Sequence, residues 1–290
     1  MQKTWEKLCT TLEMIKFSHS VFALPFALTS AVYAVNGFPG WQPTLLIIVA
    51  MISARSSAMA FNRLVDQAID ARNPRTQDRP LPAGRLSRSF VIGFCWLMSV
   101  VFIAAAARFN KLTFFLAPLV LIFLFGYSLA KRFTHYTQVW LGLALGMAPP
   151  AAWIALTGTL AAFPLLLGLG VVFWVAGFDL IYASQDHAFD QAAGLKSLVV
   201  KFGIKRALWL ARISHMLAIL ALAAAGLFFG SGIFYFAGLA CMASLLIYEQ
   251  AIVSPTDLSR VNQAFFTVNG FVAVLYFVCA VADLIWNHQN

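Results

Sequence analysis

Two groups of acidic residues with matching spacing are the first candidates for chemistry in this 290-residue sequence. In the first group, Asn62, Asp66 and Asp70 recur every four residues, which places them on one face of a helix in successive turns. Two carboxylates at that spacing repel each other unless a cation compensates them. Mg²⁺ binds one or two protein carboxylates and completes its shell with water and phosphate oxygens. The spacing therefore predicts a magnesium site that holds a diphosphate.

The second group repeats this pattern further along the chain. Asp186 and Asp190 are again four residues apart, and Asp179 and Tyr182 precede Asp186 by seven and four residues, on nearly the same helical face. Each pair alone is also compatible with a solvated helix end that neighbouring Arg or Lys side chains balance. Two matched pairs favour one shared metal site over coincidence.

Basic residues follow both acidic groups. Arg72 and Arg79 after the first group, and Lys196 after the second, are placed to donate hydrogen bonds to phosphate oxygens. Lys131 and Arg132 lie in a third loop, where they are suited to a diphosphate or to an acidic aromatic substrate. A role of this third loop in membrane topology alone is equally compatible with the sequence.

Composition places these residues in a membrane protein. Hydrophobic residues make up 61% of the chain and charged residues only 11%, with a mean hydropathy of +0.81, whereas soluble chains contain about 25% charged residues. The four cysteines have neither metal-binding nor disulfide spacing. In a membrane protein the net charge of +9 is first a topological signal, so we expect no nucleic-acid partner.

Nine stretches are long and apolar enough to cross a bilayer, since a spanning helix needs about 20 residues. They predict an all-α membrane bundle that forms a single domain, residues 1–290. The predicted spans are 17–36, 43–61, 89–107, 112–130, 138–157, 162–182, 207–229, 232–253 and 264–286.

The two long polar connections, 62–88 and 183–206, follow the second and sixth spans and therefore face the same compartment. Sixteen of the twenty Lys and Arg residues fall on that side, and only Arg108 and Lys111 on the other. Because basic loops remain in the cytoplasm, the N-terminus and both acidic groups are predicted to face the cytoplasm.

These parts together indicate an enzyme acting on an isoprenoid diphosphate. Ionisation of such a substrate gives an allylic carbocation, which requires a dry chamber, and aromatic faces and carboxylates stabilise it until an electron-rich ring attacks. The non-enzyme alternative is an ion-coupled membrane transporter, since intramembrane carboxylates often mark ion pathways. Clustering of the aspartates at one surface, without paired half-repeats, favours the enzyme.

The two acidic motifs and their flanking segments resemble those of the UbiA family of intramembrane aromatic prenyltransferases, over essentially the whole chain. The resemblance implies a nine-helix bundle around a central cavity, dependence on Mg²⁺ and a polyprenyl diphosphate donor. The matching segments are Asn62/Asp66/Asp70 as NxxxDxxxD, the segment 79–84 that follows it (RPLPAG), and Asp179, Tyr182, Asp186 and Asp190 continuing to Gly194 and Lys196-Ser197.

Within the family, residues 127–132 and 138–142 are similar to the 4-hydroxybenzoate polyprenyltransferase branch. This likeness implies formation of 3-polyprenyl-4-hydroxybenzoate for ubiquinone biosynthesis, at the cytoplasmic (inner) membrane of a bacterium. Phe178 and its neighbours, and the segment 59–62, are similar instead to a sister branch associated with menaquinone synthesis by the futalosine route. A naphthoate acceptor is therefore the alternative.

The resemblance and the spacing together assign roles to individual residues. Arg132 is expected to orient the acceptor and Lys16 to help hold the diphosphate, while Asp179 and Tyr182 support the cation or the ring. The expected metal ligands are Asn62, Asp66, Asp70, Asp186 and Asp190. The expected substrate-binding residues are Lys16, Asn62, Arg72, Arg79, Lys131, Arg132, Lys196 and Ser197.

Overall fold

The computed structural model describes residues 2–16 and 22–289, and every regular element in these ranges is helical. This confirms the predicted all-α class. A 3₁₀ turn, Ser184–Asp186, joins α8 to α9, and a π-helix, Gln263–Val268, precedes α12. The α-helices are α1 Gln2–Met14, α2 Leu24–Ala34, α3 Trp41–Asp70, α4 Arg88–Ala107, α5 Lys111–Ala130, α6 Thr137–Gly146, α7 Ala148–Thr157, α8 Ala162–Ala183, α9 His187–Ala192, α10 Leu198–Phe229, α11 Ile233–Ala251 and α12 Asn269–Gln289.

The number of helices long enough to span a membrane differs from the prediction. Eight helical segments in the described ranges qualify by length and composition, where nine spans were predicted. The predicted span 17–36 corresponds to α2, an apolar helix of 11 residues, which is shorter than the roughly 20 residues that a bilayer requires. Residues 17–21 of that predicted span lie outside the described residues.

Large apolar side chains on the helix surfaces require a lipid environment. Trp96, Phe115, Leu227 and Ile247 are each about 70% exposed, on helices that each contain an apolar stretch of 18 residues or more. In water such surfaces would drive association, whereas lipid tails solvate them. The protein is therefore a multi-pass membrane protein.

The chain folds as two compact units, and the first contains Met1–Ser20 and Leu45–Leu129. In this unit, α3 packs on α4 through the hydroxyl groups of Ser57 and Ser99, which lie 2.7 Å apart. It packs on α5 through stacked rings of Phe61 and Phe125, with centroids 4.5 Å apart. That the whole chain is one domain stays a prediction.

The second unit contains Val21–Thr44 and Ala130–Asn290, and α8 is its most buried span. Glycines allow α8 to approach its neighbours closely. A Cβ added at Gly142 of α6 would collide with the backbone carbonyl of Val172, and one added at Gly177 would collide with the ring of His215 on α10. Small residues at helix contacts are typical of membrane bundles.

Proline divides the predicted fifth span into α6 and α7. Pro149 and Pro150 lack the backbone N–H that continues a helix, so α6 ends at Gly146 and α7 starts at Ala148. The hydroxyl of Ser30 on α2 donates to the carbonyl of Pro149 at 2.6 Å. A neighbouring helix thus supplies a hydrogen bond at the break. Backbone polar groups inside a bilayer need such a partner, because the hydrocarbon region holds no water.

Candidate active site

The first acidic group lies on one uninterrupted helix. No Gly or Pro occurs between Asn62 and Asp70, and α3 continues to Asp70, four residues before Pro74. The four-residue spacing therefore does place the three side chains on one face, as predicted. The amide of Asn62 donates to Oδ2 of Asp66 at 3.1 Å, and both carboxylates are buried.

Arginine compensates the second carboxylate of this group. Nη1 of Arg79 lies 2.8 Å from both carboxylate oxygens of Asp70, and Nη1 of Arg63 lies 3.6 Å from Oδ2. The hydroxyl of Thr76 donates to the backbone carbonyl of Asp70 at 2.9 Å, which folds the following loop back so that Arg79 reaches the carboxylate. A buried charge of this kind is stable only when it is paired.

Sequence reasoning missed Arg63, which it counted only as a topological signal. Its Nε donates to the carbonyl of Met14 at 3.3 Å, and its Nη1 donates to Oδ1 of Asn62 at 3.3 Å. Arg63 therefore links the end of α1 to the acidic group. Its position seven residues before Asp70, on the same helical face, is the signal that would have identified it.

Lys16 lies two residues after the end of α1 and adds a third positive charge here. Partial burial lowers the pKa of Lys16, and the positive charges of Arg63 and Arg79 lower it further. We call Lys16, Arg63 and Arg79 the cationic cluster. Three cations against the two carboxylates of Asp66 and Asp70 leave a positive excess that suits an anionic ligand.

Arg72, also expected to bind substrate, has a different environment. Its side chain is exposed and its Nε donates to the carbonyl of Ala68, one turn earlier, at 3.2 Å. A diphosphate role for Arg72 stays a prediction.

The second acidic group is not on a continuous α-helix. After α8 ends at Ala183, the 3₁₀ turn Ser184–Asp186 intervenes before α9, so the regular α-helical spacing is interrupted between Tyr182 on α8 and Asp190 on α9. The hydroxyl of Ser184 donates to the carbonyl of Leu180 at 2.9 Å inside this turn. Asp179 and Asp186 nevertheless lie close enough for their charges to interact, and their common face stays a prediction.

Tyr182 lies among aromatic rings that the sequence analysis did not select. Its ring centroid is 4.2 Å from that of Phe265 and 6.3 Å from that of Phe266, both on the π-helix. In the sequence, the only hint of this contact is that two aromatic residues are adjacent at 265–266. Nothing in their spacing connects them with Tyr182.

Two predicted basic loops meet within the second unit. The backbone N–H of Lys196 donates to the carbonyl of Lys131 at 2.8 Å, and Nζ of Lys196 donates to the carbonyl of Phe133 at 3.4 Å. Gly194 has a φ of +67°, a left-handed conformation that lets the chain reverse before Lys196. The structure therefore brings Lys131 and its neighbour Arg132 close to Lys196.

Ser197, a predicted substrate-binding residue, has a structural task. Its hydroxyl accepts a hydrogen bond from the backbone N–H of Val200 at 3.1 Å and so caps the N-terminus of α10. Its role toward substrate stays a prediction.

The oxygen donors of the two acidic groups fit magnesium chemistry. Within the described residues of either unit, no three His, Cys, Asp or Glu side chains form a group that would hold a metal ion alone. Mg²⁺ does not require such a cage, because it uses one or two carboxylates together with water and phosphate oxygens. The donors, carboxylates and the Asn62 amide, are hard oxygen ligands of the kind that Mg²⁺ prefers.

Comparison with known protein sequences gives consistent matches. The UbiA prenyltransferase family model matches residues 23–275. The 4-hydroxybenzoate octaprenyltransferase of Alkalilimnicola ehrlichii is 32% identical over 87% of this chain and 85% of its own length. The enzyme of the same name from Vibrio parahaemolyticus is 29% identical over 82% of this chain and 84% of its own length.

Solved structures show the same fold. A UbiA homolog from Aeropyrum pernix K1, solved in the apo form, superposes with a TM-score of 0.83 at 31% identity and covers 91% of this chain and 98% of its own. A UbiA homolog from Archaeoglobus fulgidus, bound to DMAPP and Mg²⁺, superposes with a TM-score of 0.71 at 20% identity and covers 95% of this chain and 99% of its own.

Proposed function

Because this chain belongs to the UbiA prenyltransferase family, we propose that it transfers a polyprenyl group from polyprenyl diphosphate to 4-hydroxybenzoate. The bond between the prenyl carbon and the diphosphate oxygen breaks, a carbon–carbon bond forms at ring position 3, and the ring loses a proton. Relatives named 4-hydroxybenzoate octaprenyltransferase, about 30% identical over more than four fifths of the chain, support this acceptor.

The observation that carries the proposal is the cationic cluster beside the Asp66 and Asp70 carboxylates. The positive charges of Arg63 and Arg79 act on Lys16, and the three cations exceed the two carboxylates by one positive charge, which favours the binding of an anion. Guanidinium and ammonium groups stabilise the negative charge that accumulates on a departing diphosphate.

The proposed magnesium ligands are the residues that the sequence predicted. Asp66, Asp70, Asp186 and Asp190 would supply carboxylates, with Asn62 assisting through its amide oxygen. When bound, Mg²⁺ neutralises charge on the leaving diphosphate. The DMAPP- and Mg²⁺-bound homolog from Archaeoglobus fulgidus supports this cofactor.

The remaining residues act on the carbocation and the acceptor. The face of Tyr182 and the carboxylate of Asp179 stabilise positive charge in a site that excludes water. Arg132, with Lys131 and Lys196 beside it, binds the carboxylate of the aromatic acid. Apolar helix surfaces accommodate the prenyl tail.

The protein is proposed to work in the inner membrane of a bacterium, with its N-terminus and acidic groups in the cytoplasm. The distribution of Lys and Arg supports this orientation, and the relatives named above are bacterial proteins. The product would enter ubiquinone biosynthesis.

The test is a product mass spectrum from purified protein supplied with Mg²⁺, a polyprenyl diphosphate and one candidate acid at a time. We expect a prenylated 4-hydroxybenzoate that is absent when EDTA is added. If only hydroxynaphthoates are prenylated, the acceptor is a naphthoate and not 4-hydroxybenzoate. No product from folded protein with either class of acid would overturn the proposed activity.

A further inference from the structure

A chain of buried hydrogen bonds connects three helices of the second unit. Glu249 of α11 is fully buried, and its Oε1 accepts from the amide of Asn269 on α12 at 2.9 Å. Oδ1 of Asn269 accepts from the indole N–H of Trp174 on α8 at 2.7 Å. Polar groups at this depth are costly in a membrane protein and mark functional positions. None of the three belongs to the candidate site described above.

The same chain fixes an unusual helical segment. Asn269 directly follows the π-helix Gln263–Val268, and its amide also donates to the carbonyl of Ala264 at 3.1 Å. Single π-helical turns inside α-helices are rare and occur frequently at functional sites. The side chain of Asn269 therefore ties the π-helix to α8 and α11.

The π-helix in turn packs against a predicted site residue. Its Phe265 lies 4.2 Å from Tyr182 between ring centroids, and it makes an edge-on contact with Phe178 at 5.2 Å. Phe178 makes an edge-on contact with Trp174 at 5.1 Å. Because Trp174, Phe178 and Tyr182 lie on successive turns of one face of α8, the contacts form a closed loop that starts and ends on α8.

We propose that Asn269, supported by Glu249, is a positioning residue that fixes the ring of Tyr182 through the π-helix. The proposal rests on the proposed function, in which Tyr182 supports the carbocation or the acceptor ring. Removing the amide of Asn269 leaves the Ala264 carbonyl and the Trp174 N–H without this partner. The segment then loses the bonds that hold its register, and Phe265 rotates away from Tyr182.

The first experiment compares the steady-state kinetics of three variants. Asn269→Leu removes every bond of the amide, whereas Glu249→Gln keeps an acceptor oxygen toward Asn269. Tyr276→Phe is the matched control, because it removes a 2.8 Å hydroxyl contact between Tyr235 and Tyr276 on the same two helices. We expect Asn269→Leu to lower kcat about 10- to 100-fold with little change in KM for the diphosphate. The other two should remain near wild type.

A double-mutant cycle tests whether Asn269 affects turnover by positioning Tyr182 or by a general loss of structural order. In a Tyr182→Ala background, Asn269→Leu should lower kcat no further, because the residue that it positions is already absent. Losses that add fully in the double variant would overturn the proposal. If Asn269→Leu does not fold, Glu249→Met, which removes the acceptor for Asn269, takes its place in both experiments.

A spectroscopic measurement tests the inference without using activity. With 3-fluorotyrosine at position 182, we expect one ¹⁹F resonance that is shared by wild type, Glu249→Gln and Tyr276→Phe, and a shifted resonance in Asn269→Leu. An unshifted resonance in Asn269→Leu would overturn the positioning role whether or not the protein transfers prenyl groups. A shifted resonance in a protein whose wild type transfers nothing would overturn only the proposed function.

Discussion

At the scale of single residues, the two carboxylates of α3 have different partners. Asp66 accepts from the neutral amide of Asn62, whereas Asp70 accepts from Arg79 with Arg63 close by. The arginines fix the orientation of Asp70 and compensate its charge locally.

The proposed metal site predicts the effect of Asp66→Asn. The new amide is nearly isosteric and its oxygen still accepts from Asn62, so the unfolding temperature should not change. Because the charge that holds the metal is lost, prenyl transfer should fall about 100-fold or more. Asp257→Asn, in the loop after α11, is the control and should keep full turnover. Wild-type turnover by Asp66→Asn would remove this carboxylate from the metal site.

An ion pair on the surface of the first unit predicts a small pH effect on stability. Nη2 of Arg85 lies 2.7 Å from Oε1 of Glu13, and this hydrogen bond lowers the pKa of Glu13 below its ordinary value of 4.5. A carboxyl whose pKa is depressed on folding stabilises the folded state above its unfolded pKa, and this contribution is lost as pH falls through the folded pKa. Since the side chains are 43% and 45% exposed, we expect about 0.2–1 kcal/mol.

The measurement is the unfolding free energy of wild type and Glu13→Gln across pH. The difference should be constant near neutrality and should disappear as the pH falls below 4.5. A difference that increases on acidification would contradict the pairing. Glu13 and Arg85 are 72 residues apart, so no local sequence pattern predicted that they meet.

At the scale of helices, close contacts through glycine predict a sharp asymmetry between two substitutions. In Gly142→Ala, the added Cβ would collide with the backbone carbonyl of Val172, which cannot move without separating α6 from α8. We expect a loss of about 1–3 kcal/mol of stability from this overpacking, measured as a lower unfolding temperature.

Gly93→Ala in α4 is the matched control. Beyond its own turn of backbone, no atom lies within 4 Å of the added Cβ, and alanine is favoured over glycine in a helix by about 1 kcal/mol. This variant should be as stable as wild type or more stable. Equal destabilisation by both substitutions would show that the close contact between α6 and α8 is not the cause of the lost stability in Gly142→Ala.

The helices also show what sequence patterns predict and what they do not. The apolar stretches and the four-residue spacing predicted α3 and its acidic face, because both are local properties of the chain. The 3₁₀ turn Ser184–Asp186 and the π-helix at 263–268 were not predicted. The register of the π-helix depends on Asn269 bonding to Glu249 and Trp174, and these partners come from other helices.

At the scale of the whole molecule, the distribution of basic residues predicts the orientation in the membrane. Cys9 is exposed on α1, on the side with most Lys and Arg, and Asn110 lies between α4 and α5 on the opposite side. In a background without the other three cysteines, an impermeant maleimide should label Cys9 only in inside-out vesicles. Asn110→Cys, made in a background that also lacks Cys9, should be labelled only from the outer face. The reverse labelling pattern would contradict the predicted orientation, with the N-terminus in the cytoplasm.

Composition was sufficient to predict the membrane class, because low charge and high hydropathy are sums over the whole chain. Eight helical segments of the described residues are long and apolar enough to span a membrane where nine spans were predicted, and the remaining prediction, 17–36, begins in residues outside the described ranges. The meeting of Lys131 with Lys196 joins loops 65 residues apart. Such contacts depend on tertiary packing, which spacing along the chain does not encode.

The central claim is the proposal, drawn from the sequence, that Asp66, Asp70, Asp186 and Asp190 all bind the metal of one diphosphate site. It is tested most directly by the dissociation constant of Mn²⁺, which substitutes for Mg²⁺, measured by electron paramagnetic resonance with inorganic diphosphate present. Asp66→Asn and Asp190→Asn should each weaken Mn²⁺ binding at least about tenfold, while both proteins remain folded. Wild-type Mn²⁺ affinity in either variant would contradict a shared site.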